Sequence, residues 1–227
     1  MISRTGHYEY IAREAYPFLI PIFLASAAAW WWAHPWASIL FLGLGAATGC
    51  FFRNPERDTP QQDGVIVAPA DGVIAEIAGG AASDNLPNLP LTRISTFMSI
   101  LNVHVNRFPV TGTVKKIQHR PGRFLDARKS EASSVNERNS VVIGSDIGDV
   151  EVVQVAGKIA RRIACWIYEG DSLKRGDRFG LIRFGSRVDL YIPSHLAVSV
   201  TQGMKVVGGV TVIARHPSPQ SSVPQED

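Results

Sequence analysis

The residues best placed to do chemistry are Gly185 and Ser186, within Phe184-Gly185-Ser186-Arg187. Leu181–Phe184 reads as strand, and Val188–Ile192 resumes strand character at once, so the pair interrupts two strands without a normal hairpin loop. Glycine permits a strained backbone, and strain can be used at a reactive peptide bond. A serine that follows it can attack the Gly185 carbonyl once a base removes its proton. The alternative is an ordinary turn, which is how Gly144-Ser145 reads. Ala68-Pro69-Ala70-Asp71-Gly72 is either a strand-turn-strand link or the source of a carboxylate, Asp71, that orients a histidine. His104, in Asn102-Val103-His104-Val105-Asn106-Arg107, sits among apolar residues, where a lone histidine is more often structural. With an ordinary pKa near ~6.5 it is also the side chain best suited to carry protons at neutral pH. His7 and His34 belong to the apolar N-terminal segment and His216 to the tail; His119 and His195 remain as alternative bases.

A scaffold must hold these residues. From Gly64 onward, short runs rich in Val and Ile alternate with Gly, Pro and Asp; examples are Val65–Ala68, Ile94–Val105, Val110–Ile117, Val150–Val155 and Val206–Ala214. The pattern predicts a mainly β domain, a sandwich or barrel-like fold with few helices. Ser83–Thr92 reads as a loop, and Arg123–Asn136 as a loop or short helix. The N-terminus differs. Pro17–Ala33 and Trp36–Phe52 are almost wholly apolar runs of about 17 residues, each roughly 25 Å as a helix against a ~30 Å hydrocarbon core. No cleavage site suits a signal peptide, and neither run has the polar face of a helix on a soluble core. Arg4 and Arg13 precede the block, Arg53 and Arg57 follow it, and the link between the runs has no Lys or Arg, so both ends should be cytoplasmic. Trp30, Trp31, Trp32 and Trp36 cluster at the tip, and Pro17 and Pro21 allow a kink and a shallow insertion. The expected organisation is a membrane-associated helical hairpin and linker (1–57), a β-rich catalytic domain (58–214) and a disordered tail (215–227), giving an α+β chain overall.

Composition narrows the class. A formal net charge of +3 and the absence of a basic patch interleaved with aromatics argue against a nucleic-acid partner. Cys50 and Cys165 are the only cysteines, belong to no ligand cluster, and read as buried small apolar residues, so no metal is expected.

Five motifs occur in one order: FFRNPER (Phe51–Arg57), APADG (Ala68–Gly72), NVHVNR (Asn102–Arg107), NERN (Asn136–Asn139) and FGSR (Phe184–Arg187). Together they resemble the shorter form of the phosphatidylserine decarboxylase family, over nearly the whole chain to about Ala214. The resemblance implies a proenzyme that cuts itself between Gly185 and Ser186. Ser186 would become a covalent pyruvoyl group, which accepts the substrate amine as a Schiff base. Decarboxylation of an amino acid needs such an electron sink, because no ordinary side chain supplies one. Asp71 and His104 match positions that assist processing and catalysis. Longer members carry a second histidine where this chain has Arg107. The β chain (1–185) and α chain (186–227) would stay together as a heterodimer, or as a dimer of heterodimers. The substrate would be a phospholipid at the cytoplasmic face of the cell membrane, with phosphatidylethanolamine and CO2 as products. Lys115, Lys116, Arg120 and Arg123 would contact anionic head groups or form a solvated surface.

Two rivals stand beside this. A non-catalytic, membrane-anchored lipoyl-like β module would use a lysine at a hairpin tip, with Lys174 as its candidate, and would have no reason to cut itself. A serine hydrolase would want a GxSxG elbow, which the chain lacks.

Overall fold

A computed structural model describes residues 9–32, 34–123, 125, 135–157, 162–183 and 186–217. Two helices come first, α1 (Tyr16–Trp31) and α2 (Pro35–Phe51), after a 3-10 turn at Arg13–Ala15. Pro17 and Pro35 stand in the first turns, where a missing N–H costs nothing and a fixed φ favours the helix. The strands that follow are β1 (Val65–Val67), β2 (Gly72–Ala81), β3 (Leu91–Met98), β4 (Val105–Arg107), β5 (Gly112–Arg120), β6 (Arg138–Ser145), β7 (Gly148–Ala156), β8 (Ile163–Cys165), β9 (Ser172–Leu173), β10 (Arg178–Ile182), β11 (Ser186–Pro193), β12 (Ala197–Val198), β13 (Lys205–Val206) and β14 (Val212–Arg215).

The expected β-rich domain with an N-terminal helical hairpin is what the chain forms. One large antiparallel sheet runs β13-β2-β3-β11-β7-β6-β5-β9, and two smaller ones run β4-β10-β8 and β1-β14-β12. Period-two alternation builds the core. Ile94 and Met98 on β3, Val188, Leu190 and Ile192 on β11, Val150 and Val152 on β7, and Val141 and Ile143 on β6 bury one face of the large sheet. Phe108 and Phe179 join the same cluster, their rings edge to face at 6.2 Å.

The run Ile94–Val105 is not one strand. β3 stops at Met98, a turn occupies Ser99–Asn102, and β4 begins at Val105. β3 begins at Leu91, inside the segment expected to be loop, because Leu91 is fully buried against Leu86, Val142 and Tyr191. β14 reaches Arg215, and the His216 N–H donates to the Gly64 carbonyl at 2.7 Å, so ordered chain passes the expected boundary at 214. Residues 218–227 of the expected tail, and 124 and 126–134 of the expected loop or short helix, lie outside the described residues.

The helices pack on each other through small residues. Gly45 lies against Ile22 and Phe23, and the buried hydroxyls of Ser26 and Ser38 bond at 2.9 Å. The outer surface stays apolar: Phe23, Leu24, Ile39 and Leu40 are exposed, and Trp31 is 85% exposed at the tip. Cys50 is also exposed and Cys165 half-buried, against the expectation that both are core residues, because Cys50 lies on this outer helical surface. Among the described residues no helix is long and apolar enough to cross a membrane. The root of the hairpin is built into the β domain. Ala12, Ala15, Leu19, Phe51 and Phe52 bury Val103, Val105 and Leu181, and Trp166 Nε1 donates to Glu14 at 2.7 Å.

Candidate active site

Ser186 is the first residue of β11, paired with Met98 of β3 on one side and Ala156 of β7 on the other. Its side chain shares the core-facing row with Val188, Leu190 and Ile192 and is fully buried. At this end the rows turn polar. Gln154 follows Val150 and Val152 on β7, and Asn139 precedes Val141 and Ile143 on β6. Buried amides need partners, and these form a line. The Asn139 Nδ2 donates to Gln154 Oε1 at 3.0 Å, and Gln154 Nε2 donates to Asn106 Oδ1 at 2.8 Å. Asn106 is thereby turned so that its Nδ2 faces Met98 Sδ at 3.8 Å, the sulfur that Ser186 Oγ meets at 3.3 Å. A thioether is a weak acceptor, so among the described residues both donors are held without a strong partner. Gly180 on β10 makes the line possible: a Cβ there would come within 2.9 Å of Gln154 Nε2.

His104 lies two residues before Asn106 and is fully buried, with its ring 4.1 Å from that of Phe51. The Nδ1–H donates to the Asn102 carbonyl at 2.9 Å. A carbonyl can only accept, so the proton of the neutral ring is on Nδ1 and Nε2 carries a bare lone pair. That Nε2 is buried and has no hydrogen-bond partner among the described residues. Burial pushes the imidazole pKa down to about 4; the Asn102 bond opposes this, and the positive charge of Arg53 adds to it. The ring is neutral at physiological pH and able to accept a proton.

The Asp71 carboxylate accepts from Arg57 Nη2 at 2.9 Å and from the Gly208 N–H at 2.8 Å. The contact that orients His104 comes from the Asn102 carbonyl, not from Asp71 as the motif suggested. Arg107, at the second family histidine position, points away from Asn106 across β4 and donates to the carbonyls of Gly176 and Pro55. Burial and the nearby Arg178 and Arg57 hold its pKa down, to about 10, so it remains charged. Gly209, at φ +76, leaves room for it, since a Cβ there would meet Arg107 Cδ at 2.6 Å. Gly185 lies outside the described residues.

The FFRNPER segment clasps these parts together. Phe51 covers His104, Arg53 Nη2 donates to the Leu101 carbonyl at 2.7 Å, and Asn54 Oδ1 accepts from Arg178 at 2.7 Å. Glu56 pairs with Arg178 at 2.8 Å, and Arg57 with Asp71. In NERN, Asn136 donates to the carbonyl of Ala156, the β7 neighbour of Ser186, at 2.8 Å.

The alternative histidines sit apart. His119 is half-exposed on β5, three strands or roughly 14 Å from β11, and faces Glu137 at 3.8 Å. His195 follows the far end of β11 and packs on His216. Lys115 and Arg120 are engaged by Asp149 and Asp84. Sequence reading missed Met98, Asn106 and Gln154. A usable signal was Gln154, a polar residue at the core-facing step between Val152 and Ala156.

Comparison with known proteins identifies the family. The family described as phosphatidylserine decarboxylase matches residues 44–214. The phosphatidylserine decarboxylase proenzyme of Azorhizobium caulinodans is 48% identical over 208 residues, covering 91% of this chain and 89% of the relative. With the buried serine, the neutral histidine and five motifs in register, the chain belongs to the phosphatidylserine decarboxylase family.

Proposed function

We propose that this chain converts phosphatidylserine to phosphatidylethanolamine and CO2 as a membrane-attached carboxy-lyase whose pyruvoyl group it makes from its own Ser186. Family membership carries the decarboxylase assignment. The single observation that carries self-processing is the surroundings of Ser186: a fully buried hydroxyl on a weak sulfur acceptor, with an under-used amide donor beside it.

The residues present fit a group derived from Ser186. Oγ of Ser186 bonds to the Gly185 carbonyl carbon while its proton leaves toward His104 Nε2. Negative charge builds on the carbonyl oxygen, and Asn106 Nδ2, which shares the Met98 sulfur with this serine, is assigned as a donor to that oxygen. The C–N bond breaks, the nitrogen of residue 186 takes a proton, and an ester remains. Loss of the residue 186 Cα proton expels the Gly185 carboxylate and leaves a dehydroalanine. One water then hydrolyses it, releases ammonia and leaves the pyruvoyl carbonyl. That carbonyl supplies the electron sink for loss of CO2. His104, neutral and buried, is the assigned proton carrier in the finished enzyme, and the relay of Asn106, Gln154 and Asn139 keeps the pocket wall in place.

Residues 1–185 and 186–227 stay together after the cut, because β11 is hydrogen-bonded to β3 and β7 on its two edges. The apolar outer surface of α1 and α2 inserts into the bilayer from the cytoplasmic side and holds the domain at head-group level, raising the local substrate concentration.

Intact mass and a denaturing gel test the processing. The expected result is two chains divided between Gly185 and Ser186, the smaller blocked to N-terminal sequencing. Ser186→Ala should give neither cleavage nor activity. A single unmodified chain with full decarboxylase activity would falsify the proposal.

A further inference from the structure

We infer that the Ser99–Asn102 turn is a second lipid-contacting element, seated at the surface of an anionic bilayer beside the hairpin and next to the residues that surround Ser186. The inference rests on the membrane reading of the hairpin. Met98 and Val103 are buried, yet between them Ile100 is 52% and Leu101 83% exposed. Isolated exposed apolar residues are common, so exposure alone decides nothing. Three further observations do.

The turn is rigid. Asn102 Oδ1 accepts from the Ser99 N–H at 2.9 Å and from Ser99 Oγ at 2.7 Å, and the Asn102 N–H donates to the Ser99 carbonyl at 3.0 Å. Its two apolar side chains are therefore presented at little further cost in ordering. The turn is also fixed to the hairpin root: Arg53 donates to the carbonyl of Leu101 at 2.7 Å and to that of Cys50, in the last turn of α2, at 2.8 Å. Its apolar tip thus continues the exposed apolar surface of the helices, with the Arg53 cation at the boundary where lipid phosphates lie. Finally, both ends of the turn are walls of the site. Met98 meets Ser186, and the Asn102 carbonyl fixes the His104 tautomer. A lipid touching Leu101 has its head group a few residues from both.

The test uses full-length protein carrying Cys50→Ala and Cys165→Ala, with an environment-sensitive fluorophore on Leu101→Cys or, as control, on Leu89→Cys. Leu89 is likewise exposed, but it precedes the opposite end of β3, roughly 23 Å away. On phosphatidylserine–phosphatidylcholine vesicles with spin-labelled acyl chains, the probe at 101 should shift to the blue and be quenched, and the probe at 89 should not. Tryptophan quenching in the same samples reports the hairpin independently. Quenched tryptophans with a water-like probe at 101 overturn the turn but leave the hairpin reading standing. A quenched probe at 101 with unquenched tryptophans overturns the hairpin reading and, with it, the placement of the turn beside an inserted hairpin. A shift at 101 that appears without lipid and grows with protein concentration assigns the tip to a second protein copy and overturns the inference. Leu101→Asp should also lower turnover of vesicle-embedded phosphatidylserine by at least about tenfold while self-cleavage runs to completion.

Discussion

Asn106 and Ser186 converge on a single atom, the sulfur of Met98, at 3.8 Å and 3.3 Å. They come from different sheets, and among the described residues neither has a stronger acceptor there. The buried surroundings of the serine thus hold two donors on one weak acceptor.

This makes the amide line testable. Asn106→Ala should slow self-cleavage by about 10²-fold, the usual effect of removing one donor to a developing oxyanion. Gln154→Leu removes the group that fixes the Asn106 amide and should slow cleavage by less. Gly180→Ala should slow cleavage and also destabilise the fold, because the new methyl meets the Ala164 carbonyl as well as the Gln154 amide, the latter at 2.9 Å. Time courses on gels, run after circular dichroism confirms each fold, decide it; normal rates in Asn106→Ala would remove the donor role.

The neutral state of His104 carries a pH signature. Its folded pKa of about 4 lies below the unfolded value of ~6.5, so between these values the unfolded chain binds a proton that the folded chain does not. Stability should therefore fall as pH drops from about 6.5 to about 4, by roughly 3 kcal/mol from this group, and level off below. Urea melts of uncut Ser186→Ala protein across that window should show a slope that adding His104→Asn flattens. Self-cleavage, which needs the neutral ring, should stay level near neutral pH and fail only as pH approaches about 4. His104→Ala should slow cleavage by about 10²–10⁴-fold, and His119→Ala and His195→Ala by far less.

Asp71 should behave as a brace. Asp71→Asn keeps an acceptor for Gly208 but loses the charge that holds Arg57. Thermal melts of Asp71→Asn, Arg57→Gln and the double variant should give a coupling of roughly 1 kcal/mol. Cleavage in Asp71→Asn should slow with the fold intact, and by less than in His104→Ala. Equal loss in the two would instead place Asp71 in the proton path.

Attachment is open to fractionation. The intact protein should stay in the membrane fraction through high salt and leave it with detergent. Deleting residues 1–50 uncovers Val103, Val105 and Leu181, so the remainder should aggregate or melt early. Release by salt alone would show that the hairpin is not inserted.

Much of this was legible in the linear chain. The paired apolar runs and the short Val- and Ile-rich segments carry their own periodicity, and both elements form where that pattern puts them. Ser186 stood out because strand resumed directly after Gly185. The amide line stayed hidden because Asn106, Gln154 and Asn139 look ordinary one strand at a time; the register of β6 on β7 pairs Asn139 with Gln154, and only the packing of β4, from another sheet, adds Asn106. Asp71 misled for a related reason. A carboxylate near a histidine in motif order suggests a pair, but Asn102, two residues from His104, reaches the ring first. The single run Ile94–Val105 concealed a turn because Ile100 and Leu101 are apolar and exposed together.

The place of β11 between β3 and β7 has a consequence for how the protein ages. Before the proposed cut, one chain holds all the information needed to form the large sheet, and an unfolded molecule can find its way back alone. A cut between Gly185 and Ser186 would put β11, β13 and β14 on a separate piece, with their partners β3, β7, β2 and β1 on the other. Once melted, those pieces must meet again by diffusion, in competition with aggregation of the exposed hairpin. Uncut Ser186→Ala protein should therefore recover its melting transition on a second heating scan, and processed enzyme should not. On the proposed cut, maturation would erase the route by which the fold was reached, and each active molecule would be assembled once and keep its structure only while it stays folded.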